Sequence, residues 1–194
     1  YRGETSIVLN FMNIGCDLDG VIIDHSNNQN RLLKKRSFDF KKLSETKDAI
    51  ISFLGVDEYI NLKKELYGSL SLCASQVHDA KKTLKKLILQ GHKIRLISRR
   101  NKESRKFALG WLEKNEFINI FPKSNIHFVD LDGQKDVICG KFKVELHIDD
   151  STEVIEKLTV PTHKILFRQD YVNHSAATFI AKDWKDVYGY IKNL

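Results

Sequence analysis

The sequence predicts an α/β fold, a Rossmann-like parallel sheet with flanking helices and a small helical cap inserted after the first strand. Three observations carry the prediction. Five short apolar runs (residues 12–16, 93–98, 126–129, 144–148 and 164–167) end in polar turns and have the length of buried strands. Amphipathic helical patterns separate the later runs, and strands that alternate with helices assemble as a parallel sheet. The stretch between the first two runs, residues 25–76, is too long for one crossover and is itself helical in pattern.

The elements follow in chain order. Met12 to Cys16 is apolar and runs into an acidic turn containing Gly20, as a buried strand ending in a loop does. In the inserted stretch, residues 41–54 and 57–70 have helical spacing, with Gly55 between them and Asp57 placed to cap the second. Val77, Ala80, Leu84, Leu87 and Ile88 share one helix face, closed by Gly91. Phe107, Trp111 and Leu112 mark the next helix, and Val154, Ile155 and Leu158 another. Trp184, Val187 and Ile191 point inward from a last helix over residues 183–191. The domain limits are then 12–25 with 77–194 for the sheet domain and 26–76 for the cap. Met12, the one methionine, stands directly before the first strand and is read as the native start, with residues 1–11 a non-native or flexible extension.

Hydrophobic residues make up 42% of the 194 and charged residues 29%, which suits one packed domain with an insertion and excludes global disorder. No apolar run approaches the roughly 18 residues of a membrane span, so no membrane partner is expected. Cys16, Cys73 and Cys139 form neither a metal-ligand spacing nor a disulfide framework, which fits a reducing, cytoplasmic setting. Residues 25–100 carry +10, from seventeen basic and seven acidic side chains, against a total of +7 for the chain. That basic half, with Arg31-Leu32-Leu33-Lys34-Lys35-Arg36 inside it, either steers a phosphorylated substrate or nucleic acid, or is a solvated surface.

Chemistry gathers where strands end. Asp17-Leu18-Asp19-Gly20 leaves the first strand, and two carboxylates at i and i+2 on a tight loop can divide labour. One attacks phosphorus while the other handles the leaving group's proton. Ser98 ends the second run, ahead of Arg99 and Arg100, where a hydroxyl and a guanidinium suit phosphoryl oxygens. Lys135 opens a short helix and is preferred over Lys141 and Lys143 as the cation that neutralises nucleophile and phosphate. Asp149-Asp150-Ser151 follows the fourth run; carboxylates buried there need a partner or a metal, and with Asp17 they supply the oxygens Mg²⁺ prefers. His147, inside that run, reads as a core or sheet-facing side chain, and Trp111, Trp184 and Cys16 read as core.

The order Asp-x-Asp, Ser, Lys, Asp-Asp resembles the haloacid dehalogenase superfamily from Met12 onward, and within it the 5′(3′)-deoxyribonucleotidase-like branch. Ile148-Asp149-Asp150-Ser151, Trp111-Leu112, and Tyr171-Val172-Asn173 followed by Trp184 carry the closer likeness. The resemblance implies a Mg²⁺-dependent phosphomonoesterase working through an aspartyl-phosphate. Asp17 is then the nucleophile and a metal ligand; Asp19 is the general acid and base, with its carbonyl on the metal. Ser98, Arg100 and Lys135 bind phosphate, and Asp150 is the metal ligand, with Asp149 an alternate or supporting one. A nucleoside monophosphate or similar small phosphometabolite is the expected substrate. A phosphatase acting on nucleic-acid ends and a non-catalytic phosphate-binding protein are the rivals.

Overall fold

The computed structural model describes residues 11–41, 43, 46–168 and 173–194. In chain order its first half contains β1 (Asn13–Cys16), β2 (Ile23–Asp24), α1 (Ser26–Lys35), α2 (Lys47–Leu54), α3 (Val56–Tyr67), β3 (Ser75–Gln76) and α4 (Ala80–Leu89). The second half contains β4 (Lys93–Arg99), α5 (Lys102–Lys114), β5 (Ile126–Val129), α6 (Gln134–Phe142), β6 (Leu146–Asp149), α7 (Thr152–Lys157), β7 (His163–Phe167), β8 (Phe179–Ala181) and α8 (Trp184–Lys192).

Six strands form one sheet in the order β5-β4-β1-β6-β7-β8, and every pairing is parallel. β1 is central because Ile14 and Cys16 have no exposure at all, and only a strand covered on both faces can be continuously apolar. Leu84, Leu87, Trp111, Leu112, Trp184 and Val187 from α4, α5 and α8 cover one face. Cys139, Val154 and Ile155 from α6 and α7 cover the other. Both buried indoles are satisfied: Trp111 donates to the Ala74 carbonyl and Trp184 to the Val21 carbonyl, each at 2.9 Å. Cys16 is in register with Leu96 of β4 and with Ile148 of β6. The residues just beyond these three positions therefore emerge side by side at one edge, where ligands of open α/β sheets bind.

All five apolar runs are strands, although the fourth begins at Leu146 because Val144 still belongs to the turn after α6. The sixth strand, β8, escapes sequence pattern since three residues are too few for a period. Between the antiparallel pair β2 and β3 lies the helical insertion. Among the described residues it has three α-helices rather than two, with a 3₁₀ turn over Ser69–Cys73: α1 is rich in Ser and Asn, poor helix formers, and only Leu32 and Leu33 turn inward. The helix expected over 41–54 starts at Lys47, where the Thr46 hydroxyl accepts from the Ala49 N–H; residues 42, 44 and 45 lie outside the described residues. Gly55, not Asp57, caps α3: at φ 79° it turns the chain directly from α2, leaving Asp57 in the first turn. Gly68 ends α3 at Tyr67, short of residue 70.

Leu32, Leu33, Phe38, Ile50, Leu62 and Leu66 give the insertion its own apolar cluster. Part of the basic run serves it internally, for Arg36 reaches across to Glu58 and Glu65 of α3. Arg31, Lys34 and Lys35 stay exposed. Among the described residues no helix is long and apolar enough to cross a membrane, and all three cysteines are free thiols. The extension read at residues 1–11 lies outside the described residues except for Phe11, as do Tyr171 and Val172 of the late motif.

Candidate active site

Asp17 is the first residue past β1, and its N–H donates to the Ile148 carbonyl at 2.9 Å, which continues the sheet by one rung and fixes where the carboxylate starts. Lys135, in the first turn of α6, enters from the side. Its ammonium lies 2.9 Å from Asp17 Oδ1 and 2.7 Å from Asp149 Oδ2, and is only 2% exposed. Lys141 is exposed, and Lys143 is the left-handed terminus of α6, so neither competes for this place.

Asp149 is fully engaged. Oδ2 also accepts from His147 Nε2 at 3.1 Å, and Oδ1 accepts from the Ser151 N–H at 3.1 Å. The carboxylate fixes the histidine's tautomer, so the Nε2 proton points to Asp149 and Nδ1 faces Cys139 Sγ at 3.9 Å. His147 is buried as the sequence suggested, but it also anchors the acid that anchors Lys135, a role with no sequence signal. The chain has been shaped around it: a Cβ on Gly15 would stand 2.4 Å from His147 Nδ1. Gly15→Ala is expected to lower stability by about 1–3 kcal/mol and to weaken activity, since the imidazole must shift; urea unfolding beside a kinetic assay checks it.

Asp150 stands next in the turn, and Gly20 makes room for it. Gly20 has φ 79°, and a Cβ there would sit 2.1 Å from Asp150 Oδ2. Asp17, Asp149 and Asp150 offer oxygens within 4.8 Å of one another. Burial pushes the Asp17 carboxyl up to about 7, with Asp149 and Asp19 adding to it and Lys135 opposing. Asp150 is raised by burial and by the same acidic neighbours. Burial would also raise Asp149, but Lys135 and His147 outweigh it and hold that carboxyl down at about 2. Three carboxylates face one ammonium, so their fully ionised forms would carry two negative charges that Lys135 does not offset. Hard oxygen donors with that surplus suit a divalent cation such as Mg²⁺. Since Asp149 has spent both oxygens on Lys135, His147 and Ser151, Asp150 and Asp17 are the carboxylates free to hold it.

Ser98 emerges from β4 beside this group, 1% exposed, and its hydroxyl has no partner among the described residues. An orphan hydroxyl there costs free energy unless a ligand satisfies it. Arg99 turns outward to Asp132 at 2.8 Å.

Arg100, read from sequence as a phosphate ligand, is engaged by protein groups in the structure. Its guanidinium grips Asp19 through Nε at 2.7 Å and Nη2 at 2.6 Å, while Nη1 donates to the Tyr67 carbonyl at 2.9 Å. A fully buried guanidinium needs such partners, and a bidentate carboxylate is the strongest on offer. His25 Nε2 adds a third contact to Asp19 at 2.7 Å. Burial works against ionisation of Asp19, yet Arg100 and His25 override it and hold the carboxyl far below the usual range. Neither His25 nor Tyr67 was visible as a site residue, because their relation to Asp19 exists only once the insertion folds back on β4.

Comparisons with known proteins bear on the fold and the family. No curated protein sequence matches the chain. Solved structures do. A haloacid dehalogenase-like hydrolase from Streptococcus pneumoniae is 14% identical, with TM-score 0.63 over 93% of this chain and 98% of that one. A HAD family hydrolase from Deinococcus radiodurans, with bound phosphate and sodium, is 13% identical, with TM-score 0.60 over 94% and 96%. The Bacillus subtilis protein YfnB, bound to magnesium, is 13% identical, with TM-score 0.64 over 95% and 99%. At such identities they establish the fold. The family model described as 5′ nucleotidase, deoxy (Pyrimidine), cytosolic type C protein matches residues 10–194, so the chain belongs to that family and is a haloacid dehalogenase-type phosphatase.

Proposed function

We propose that the protein hydrolyses small phosphomonoesters, nucleoside monophosphates first among them, with Mg²⁺ and an Asp17 aspartyl-phosphate. The observation that carries the reading is the Lys135 ammonium shared by Asp17 and Asp149, with Asp150 beside them at the same sheet edge. Mg²⁺, held by Asp17, Asp150 and the Asp19 carbonyl, would supply positive charge to the phosphoryl oxygens. The nucleotide preference and a cytoplasmic setting rest on the family's description as a cytosolic nucleotidase. The cap limits proposed are 26–76, with 12–25 and 77–194 as the catalytic domain.

Asp17 attacks phosphorus in line, forming a carboxylate–phosphorus bond as the bond to the leaving alcohol breaks. Lys135 and the Ser98 hydroxyl hold the phosphoryl oxygens, and Lys135 offsets the charge that builds on them. Asp19 then takes a proton from the water that cleaves the acyl-phosphate, and its ionised state suits that half of the cycle. Donating a proton to the leaving alkoxide requires Asp19 to turn off Arg100, because a carboxylate held by two guanidinium N–H groups stays ionised at neutral pH.

The test is phosphate release from nucleotides, sugar phosphates and 3′-phosphorylated oligonucleotides, each with Mg²⁺ and with EDTA. Release confined to Mg²⁺ and lost in Asp17→Asn is the expected result. Preference for the oligonucleotides, weakened steeply by salt, would replace the nucleotide substrate with nucleic-acid ends.

A second expectation concerns the metal-free protein. Asp17 has a folded-state pKa near 7 against an unfolded value of 3.8, so the folded chain holds that proton more tightly. Its contribution to stability is full below about pH 4 and is lost as pH rises to about 7. The melting temperature in EDTA should fall by several degrees across that window, and Mg²⁺ at pH 8 should restore it. A flat profile in EDTA would mean that Asp17 ionises freely.

A further inference from the structure

We infer that Arg100 is a positioning residue for the second half of the reaction: tied to the end of α3, it turns Asp19 so that Oδ2 takes the proton of the water that cleaves the aspartyl-phosphate. The inference rests on the phosphatase reading above and assigns the step that this guanidinium serves.

The turn that carries Asp19 leaves only the side chain to be set. The Ile22 and Ile23 N–H groups both donate to the Leu18 carbonyl at 2.9 Å, and the Gly20 N–H donates to the Ile23 carbonyl at 2.9 Å. The carboxylate is then oriented by two side chains. Oδ1 accepts from Arg100 Nη2 at 2.6 Å and, because an ionised carboxylate can only accept, from His25 Nε2 at 2.7 Å. Oδ2 accepts at 2.7 Å from Arg100 Nε alone among the described residues. Each carboxylate oxygen has room for about two such bonds, so Oδ1 is filled and Oδ2 keeps one position open.

Arg100 is itself held in place. Its N–H donates to the Val129 carbonyl at 3.2 Å and its carbonyl accepts from Arg105 Nε at 2.9 Å. The remaining guanidinium nitrogen, Nη1, donates at 2.9 Å to the carbonyl of Tyr67, the last residue of α3. A carbonyl at a helix C-terminus has no partner within the helix and carries the negative end of its dipole, so a guanidinium suits it. The Tyr67 ring lies on the same group, 4.6 Å from the guanidinium carbon, and meets His25 edge-on at 5.3 Å. Both side chains that orient Asp19 therefore lean on Tyr67, and through them the seated insertion fixes the carboxylate.

The two halves of the reaction ask different things of Asp19. Protonating the leaving alkoxide needs a carboxylic acid, which the clamped carboxylate does not supply. In the second half the water oxygen bonds phosphorus, the bond from Asp17 to phosphorus breaks, and its electron pair returns to the Asp17 carboxylate. The water's proton goes to Asp19, and a base for that step needs an open lone pair held in fixed alignment. The clamp gives Oδ2 both. A lysine in place of Arg100 would keep the charge but not the two parallel bonds that set the carboxylate's angle.

The test uses p-nitrophenyl phosphate, whose leaving group departs without a proton, beside thymidine 5′-monophosphate. In Arg100→Lys, kcat for p-nitrophenyl phosphate should fall about 10–100-fold. Its kcat/KM, which reports formation of the aspartyl-phosphate, should stay within about threefold of wild type. Rapid mixing should show a burst of about one nitrophenolate per enzyme, and kcat for the two substrates should converge on the shared hydrolysis step. Tyr67→Leu keeps the carbonyl but removes the ring; it should show the same split at about threefold, and it decides the matter if Arg100→Lys does not fold. Equal losses in kcat and kcat/KM without a burst, or an unchanged kcat, overturn the inference, while hydrolysis of p-nitrophenyl phosphate by the wild type keeps the phosphatase reading. A wild type that hydrolyses neither substrate removes both.

Discussion

Asp17→Asn is expected to lower phosphate release by about 10⁴-fold or more while the protein remains folded. The amide keeps the shape of the carboxylate, so the turn after β1 and the neighbouring Gly20 need not move. What it loses is the nucleophilic lone pair and charge. Lys135 can still be met by the amide oxygen, and Asp149 remains its second partner. The variant should therefore be no less stable than the wild type in EDTA at pH 8, and its melting temperature should vary less between pH 4 and 7. Residual activity within tenfold of wild type would reject Asp17 as nucleophile. Loss of activity together with collapse of the fold would be a different failure, and circular dichroism separates the two.

Lys135→Met is expected to damage both function and stability, and the size of the stability loss distinguishes it from Asp17→Asn. The lysine is 2% exposed and, among the described residues, is the ammonium paired with Asp17 and Asp149. Removing one member of a buried ion cluster typically costs about 3–5 kcal/mol, because the charges left behind are neither solvated nor paired. Urea unfolding at pH 8 should show a loss of that order, shrinking at pH 5 as the abandoned carboxylates take up protons. Added Mg²⁺ should recover part of the stability but not the rate, since the proposed mechanism gives Lys135 the phosphoryl oxygens to hold. A loss below about 1 kcal/mol would mean that water, not protein, surrounds this pair.

How much of the site could be read from sequence depends on whether a residue's neighbours are set by strand register. Asp17, Ser98, Asp149 and Asp150 each follow an apolar run. Parallel pairing brings the ends of such runs together whatever the loops do, so motif order alone assembled them. Lys135 needed one further rule, that the helix after a strand returns its first turn to the same edge. Arg100 shows where this reasoning stops. Its position next to a strand end suggested a phosphate ligand, yet its long side chain is free to choose among partners. The choice was made by Asp19 and by the Tyr67 carbonyl, which arrives from the far end of the insertion.

His147 is a second such case. Burial in a parallel strand was legible; the bond to Asp149 was not, because it depends on Gly15 leaving space for the imidazole in β1. Within the insertion, α1 went unread because Ser and Asn carry no helical preference, and the cap position of α3 moved from Asp57 to Gly55 because α2 runs into it without a loop.

By itself, then, the sequence determined five of the six strands and the acidic cluster at their ends, since apolar periodicity and strand-end chemistry are local and survive translation into three dimensions. Tertiary structure alone decided which acid each cation serves. It also set Asp19 in its ionised state and laid the Tyr67 ring on Arg100. These depend on contacts between segments tens of residues apart, where the energy of a buried pair is fixed by distance and desolvation rather than by sequence spacing.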